Sequence, residues 1–322
     1  MDSGIKRKLS ESEMTAITSK AFGQAAIAVK ELTDGWANAA YQVMLDDGRL
    51  IIVKAAPLAS AKLMSYEQGL MKAEVEVLRL VKQMGVIPVP AVYVHDASES
   101  IVNCEYFIME MLDGEPYNKV KDRLTDEQRN QIDYQLGIYN RQLNEIHGER
   151  FSLYAANNEA NRTWREAFHS LLLGVLADGE SEGVRLTEEY DTIRSEVARR
   201  LGVLDEVTEP RLIHWDLWDG NVFIKDGAIT GIIDFERALW GDPLMEHYFS
   251  HFCNTAAFLE GYGITQLTTA ERGRRALYDL YLDLIICIEC SFRQYEDVNH
   301  LQWTRNNMEQ GWQRFLAMSS IS

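Results

Sequence analysis

From residue 26 onward the chain alternates between apolar and polar positions in short runs. "AIAVKELTDGWANAAYQVMLDDGRLIIVKAA" carries β-branched and aromatic residues broken at Asp34-Gly35 and at Asp46-Asp47-Gly48. That pattern predicts antiparallel strands joined by tight turns. Between Glu67 and Met84 the period changes: Leu70, Val77, Leu78 and Val81 follow helical spacing, and Gly85 with Pro88 ends the segment. Two further strand-like runs, "AVYVH" and "CEYFIMEM", precede a break at Asp113-Gly114.

Beyond the break, helical periodicity dominates. Segments near 125–147, 161–177, 187–201, 270–296 and 300–317 are amphipathic, and in the fourth Leu277, Leu280, Tyr281, Leu284 and Ile288 share a face. One stretch, 211–234, interrupts them, reading as strand, loop, strand, turn and strand. A small antiparallel sheet with one helix, then a helical remainder carrying a β-rich loop, is an α+β arrangement of the protein-kinase-like, bilobal kind. The break divides it into an N-terminal part, 1–112, that would bind nucleotide, and a C-terminal part, 113–322, that would carry the catalytic loop and acceptor site.

Composition narrows the function classes. A chain of 322 residues, 46% hydrophobic and 10% aromatic, can bury a large core. A formal charge of −17 argues against a nucleic-acid partner, because phosphate contacts need clustered Lys and Arg. It leaves room for a cationic one. The opening "MDSGIKRKLSESEM" has no apolar run behind it, and "LLLGVLA" is too short to span a bilayer, so neither a secretion signal nor membrane insertion is expected. Four cysteines fit a cytoplasmic protein: Cys104 and Cys253 stand alone, and Cys287 and Cys290, in C-x-x-C spacing, read as buried thiols on a helix. It is expected to work as a monomer or a homodimer.

The candidate chemistry lies in "LIHWDLWDGNVFI". His214, Asp216 and Asn221 have the H-x-D-x-x-x-x-N spacing of a kinase catalytic loop. Asp216 would receive or orient the proton of a substrate hydroxyl. Asn221 would offer a side-chain oxygen to Mg²⁺, a hard cation that prefers oxygen ligands. Asp234, in Asp234-Phe235-Glu236, ends an apolar strand where an uncompensated carboxylate would be costly, and a bound Mg²⁺ removes that cost. Lys54 ends the run "LIIVK", where a kinase needs a cation for the ATP phosphates, and either Glu74 or Glu76 on the following helix could orient it. Asp219 reads as a turn residue. Trp215, Trp218 and Trp240 could stack on an acceptor, and Glu236, Glu246, Glu289, Glu296 and Asp297 could attract a cationic one.

"LIHWDLWDGNVFIKDGAITGIIDFERALWGDP" resembles the signature of the aminoglycoside phosphotransferase family, which includes choline, fructosamine and similar small-molecule kinases. The likeness extends through most of the chain. "LTDGWANAAYQV" is similar to the family's nucleotide loop, with Gly35 and Asn38 in place. "MKAEVEVLRLVKQMGVIPVPAVY" resembles its helix and Pro-x-Pro strand, in a register that favours Glu74 as the partner of Lys54. "FIMEMLDGEP" is similar to its hinge, which implies that backbone groups of Glu110 and Leu112 bind adenine. Glu236 stands where protein kinases carry glycine, and the G-x-G-x-x-G loop and A-P-E motif are absent, so a protein substrate is disfavoured. The resemblance implies an ATP- and Mg²⁺-dependent kinase of a small-molecule hydroxyl, with an aminoglycoside or other amino sugar first. Amino alcohols, fructosamines and macrolides are the next acceptors, and a non-catalytic ATP-binding regulator is the reading from another class.

Overall fold

A computed structural model describes residues 6–33, 38–156 and 163–318. The turn at Asp34-Gly35 and the nucleotide-loop Gly35 therefore lie outside the described residues. The N-terminal part is a five-stranded antiparallel sheet in the order β1-β2-β3-β5-β4, built from β1 (Ala26–Leu32), β2 (Ala39–Leu45), β3 (Leu50–Ala55), β4 (Val92–Asp96) and β5 (Tyr106–Glu110). Alternation along β3 sorts its side chains to two faces. Ile51 and Val53 meet Met14 and Ile17 of helix α1 (Glu11–Phe22), whereas Ile52 joins Phe107, Val75 and Leu78 on the side of helix α2 (Leu70–Met84). Lys54 is two residues from Ile52 and so faces α2 as well.

Two features of the N-terminal part differ from the sequence expectation. Helix α1 was not anticipated, although Ser10 and Glu13 form a complete capping box at its start. Helix α2 begins at Leu70 rather than Glu67, because Gly69 precedes it in the left-handed region, φ 71°.

The C-terminal part is mostly helical. After β6 (Glu115–Pro116) and α3 (Tyr117–Val120), helix α4 (Asp126–Asn144) is followed by β7 (Ser152–Leu153), α5 (Trp164–Ser181) and α6 (Tyr190–Ala198). Next come β8 (Arg211–Ile213), β9 (Val222–Lys225), β10 (Ala228–Ile232) and β11 (Leu239–Gly241), then α7 (Ala256–Tyr262), α8 (Thr269–Arg293) and α9 (Val298–Ala317). Strand β8 pairs with β11, and β9 forms a hairpin with β10 through Asp226 and Gly227, φ 51° and 78°. Two positive φ values are what a two-residue hairpin turn demands. Helices α4 and α7 pack at contact distance: a Cβ on Gly261 would sit 1.9 Å from the Tyr134 carbonyl oxygen. A core of buried side chains from α4, α5, α8 and α9 runs continuously into the α2 side of the sheet. Among the described residues no helix is long and apolar enough to cross a membrane.

Candidate active site

The loop between β8 and β9 meets the segment just after β10 through His214 and Ile233, and Asp234 of that segment reaches Lys54 of β3. Lys54 Nζ is 2.6 Å from Glu74 Oε1 on α2 and 2.7 Å from Asp234 Oδ1. Glu74 is fully buried, so Lys54 has a fixed partner, while Glu76 is half-exposed and pairs with Lys72. The choice between the two glutamates follows from helix geometry, since residues two apart point in different directions. Burial works against an ionised Asp234, yet Lys54 outweighs it and holds that carboxyl below its ordinary value. Burial pushes the Glu74 carboxyl upward, with Lys54 pulling the other way.

The catalytic loop is held through its backbone. Burial lowers the pKa of His214 and keeps its ring neutral. Its Nε2 lies 2.8 Å from the Ile233 carbonyl oxygen, and the Asp216 N–H donates to its Nδ1 at 3.2 Å. The ring thus ties the loop to the strand that delivers Asp234. Trp215, immediately before Asp216, has φ 64°, and Asp234 has φ 71°. Both are non-glycine residues in the left-handed region, a strain that persists where surrounding contacts over-determine the backbone. Burial pushes Asp216 up to about 8, with Arg237 opposing it. Asn221 Nδ2 donates to the Asp216 carbonyl oxygen at 2.8 Å, which leaves the Asn221 side-chain oxygen as its uncommitted acceptor.

Glu246, expected among the acids facing an acceptor, instead braces the catalytic loop. It is wholly buried and accepts the backbone N–H groups of His214 at 3.1 Å, Trp215 at 3.1 Å and Leu217 at 3.2 Å. Asp219, expected as a turn residue, does more. It lies 2.6 Å from Lys121 Nζ and accepts from the Tyr248 hydroxyl, pinning the loop to the segment after α3.

The expected acceptor residues change most. Trp215 is buried and stacks on Tyr281, and the partly buried Trp240 stacks on Tyr154. Trp218 is half-buried and folds over Gly220. Of the five acids, Glu246 is committed to backbone, Glu289 lies 3.5 Å from Arg237, and Asp297 caps α9. Glu236 accepts from Asn38 Nδ2 at 2.7 Å, while Glu296 is exposed. Glu110 and Leu112 flank the end of β5, where the Glu110 N–H donates to Ala91 O at 2.8 Å and Leu112 packs on Gly231.

Glu74, Asp234 and Glu236 each present a carboxylate oxygen within 4.8 Å of the others. A hard divalent cation fits this donor set. The donors are all oxygen, three acids share the single charge of Lys54, and Glu74 Oε2 is buried with no hydrogen-bond partner among the described residues. A separate cavity of about 350 Å³, between α4, residues 206–211 and Asp242, contains none of these groups.

Comparison with known proteins agrees with this geometry. A curated homoserine kinase from Gluconacetobacter diazotrophicus is 37% identical over 76 residues, a match spanning 24% of this chain and 23% of that protein. Among solved structures, aminoglycoside phosphotransferase APH(2")-IIa in its ternary complex with streptomycin and ATP is similar with a TM-score of 0.63 at 18% identity, covering 94% of this chain and 97% of that one. A candidate fructosamine-3-kinase from Thermobifida fusca is similar with a TM-score of 0.67 at 22% identity, covering 96% of this chain and 100% of that one. At such identities these likenesses establish the fold, the bilobal protein-kinase-like arrangement expected from the sequence. Residues 28–278 match the Phosphotransferase enzyme family, and the chain belongs to it.

Proposed function

We propose that this phosphotransferase moves the γ-phosphoryl of ATP to a hydroxyl of a small molecule, with Mg²⁺ as the metal and an aminoglycoside or other amino sugar as the first acceptor class. The observation that carries the reading is Lys54 bridging Glu74 and Asp234, at 2.6 and 2.7 Å, beside a loop that presents Asp216 and Asn221. Phosphoryl transfer needs positioning and charge stabilisation more than covalent chemistry from the protein, and these residues supply both.

In this reading Lys54, steadied by Glu74, binds the α- and β-phosphates, as sequence position and pairing suggest. Asp234 and Asn221 would hold Mg²⁺, with Glu236 near enough to join them. The cation, when bound, neutralises charge on the phosphate oxygens. Asp216 orients the acceptor hydroxyl and takes its proton as the oxygen bonds to the γ-phosphorus and the β–γ bridging bond breaks, releasing ADP. Because the Glu110 N–H is committed to Ala91, the proposed adenine contacts are the Glu110 carbonyl and the Leu112 backbone. The division into a nucleotide-binding part, 1–112, and an acceptor-binding part, 113–322, belongs to the same reading.

The test is Mg-ATP consumption against a panel of aminoglycosides, amino alcohols including homoserine, fructosamines, macrolides and simple sugars. Turnover with one hydroxyl-bearing class supports the proposal. No ATP turnover with any acceptor, in a protein that still binds ATP, contradicts it and returns the non-catalytic regulator.

A further inference from the structure

Asn38 and Glu236 are 198 residues apart in sequence, and their side chains meet at 2.7 Å, Asn38 Nδ2 donating to Glu236 Oε2. Each position has a local cause. Asn38 directly precedes β2, in which Ala39 pairs with Ala55 and Ala40 with Lys54, so it stands at the Lys54 end of the sheet. Glu236 lies in the single helical turn Phe235–Arg237 that follows the left-handed Asp234, which swings its side chain back toward the sheet. It is 8% exposed, and one of its carboxylate oxygens is within 4.8 Å of those of Glu74 and Asp234.

Three carboxylates around one ammonium repel one another, and a glutamate on a short turn has several rotamers that would carry its charge out of the cluster. A neutral amide donor on the opposite wall selects the inward one without adding charge. We propose that Asn38 is a positioning residue: it holds the Glu236 carboxylate within the Glu74–Asp234 cluster, so that the start of β2 and the carboxylates of that cluster are tied together. Its effect on nucleotide then passes through Glu236, rather than through a direct contact alone. The inference rests on the kinase reading above and goes beyond it, because it assigns Asn38 to the cation's outer shell. Such partners orient the ligands they touch, and their removal typically weakens metal binding by about 10- to 100-fold.

The test is titration of Mn²⁺, followed by electron paramagnetic resonance, into the full-length protein with and without a non-hydrolysable ATP analogue. Asn38→Ala is expected to weaken Mn²⁺ binding by about tenfold. Glu236→Gln is expected to weaken it at least as much, and the double variant no further than Glu236→Gln alone. Should Asn38→Ala fail to fold, Asn38→Leu, which fills the same volume without a donor, carries the same prediction. Unchanged Mn²⁺ affinity in the Asn38 variant, or additive losses in the double variant, overturns the inference. Asp234→Asn separates the two levels: if it abolishes Mn²⁺ binding while Asn38→Ala does not change it, only this inference fails. No Mn²⁺ binding by the wild-type protein in either condition overturns both the inference and the kinase reading.

Discussion

Glu246 accepts the backbone N–H of His214 at 3.1 Å from 32 residues downstream, and through two more such bonds it grips the whole turn that presents Asp216. The strained φ of Trp215 is held in place by this carboxylate. Replacing Glu246 by Gln turns one acceptor oxygen into an amide that faces N–H donors. With charge-assisted bonds lost and buried donors left unpaired, the variant is expected to be about 2–4 kcal/mol less stable, read by urea unfolding, with kcat falling alongside. Wild-type stability would mean that the loop holds itself.

Lys54 and Glu74 form an ion pair with side chains 8% and 0% exposed. Removing one partner of a buried pair leaves an uncompensated charge, at a cost of about 3–5 kcal/mol. Lys54→Met should therefore lose stability as well as nucleotide affinity, and adding Glu74→Gln should return part of the stability but none of the affinity. Chemical denaturation of the single and double variants separates the two effects.

Glu67 and Arg293, each side chain 1% exposed, join the segment before α2 to the last turn of α8. They tie the helix that carries Glu74 to the C-terminal helices. Arg293→Met is expected to cost about 3–5 kcal/mol by the same argument, with the Glu67→Gln double variant less affected. A melting temperature within a degree of wild type would show that packing, and not the pair, fixes α2.

The imidazole of His247 is driven down from 6.5 to about 4, first by burial and then by Arg275. Between those values the unfolded chain binds a proton that the folded one refuses, so stability falls as pH drops from 6.5 toward 4. The loss is at most about 3 kcal/mol from this group. His247→Gln should flatten that part of the stability profile measured by denaturant midpoint. An unchanged slope would place the acid sensitivity in other groups.

Much of this was legible because local patterns carried it. The apolar run "LIIVK" gave the strand and set Lys54 at its end, and the offsets of His214, Asp216 and Asn221 marked the loop. What stayed hidden depended on tertiary contact. No pattern in "GDPLMEH" reveals that Glu246 is buried under the catalytic turn, and nothing local joins Asn38 to Glu236. Helix α1 was missed despite its capping box, because only Met14, Ile17 and Thr18 face inward and the stripe is too thin to read. Helix α7 spans seven residues, short of two full turns, too few for a period to emerge. Trp215 was one of three rings expected to be able to stack on an acceptor, because the sequence shows an aromatic beside the base but not Tyr281 stacked upon it.

The most direct test of the account is Asp216→Asn, a change that keeps the shape of the side chain and removes its capacity to take a proton. With an acceptor identified from the panel, the variant should bind Mg-ATP as the wild type does and lose at least about a hundredfold in kcat, the low end of what a positioned general base contributes. Turnover near the wild-type value would contradict the assignment of Asp216, and with it the mechanism built around the loop.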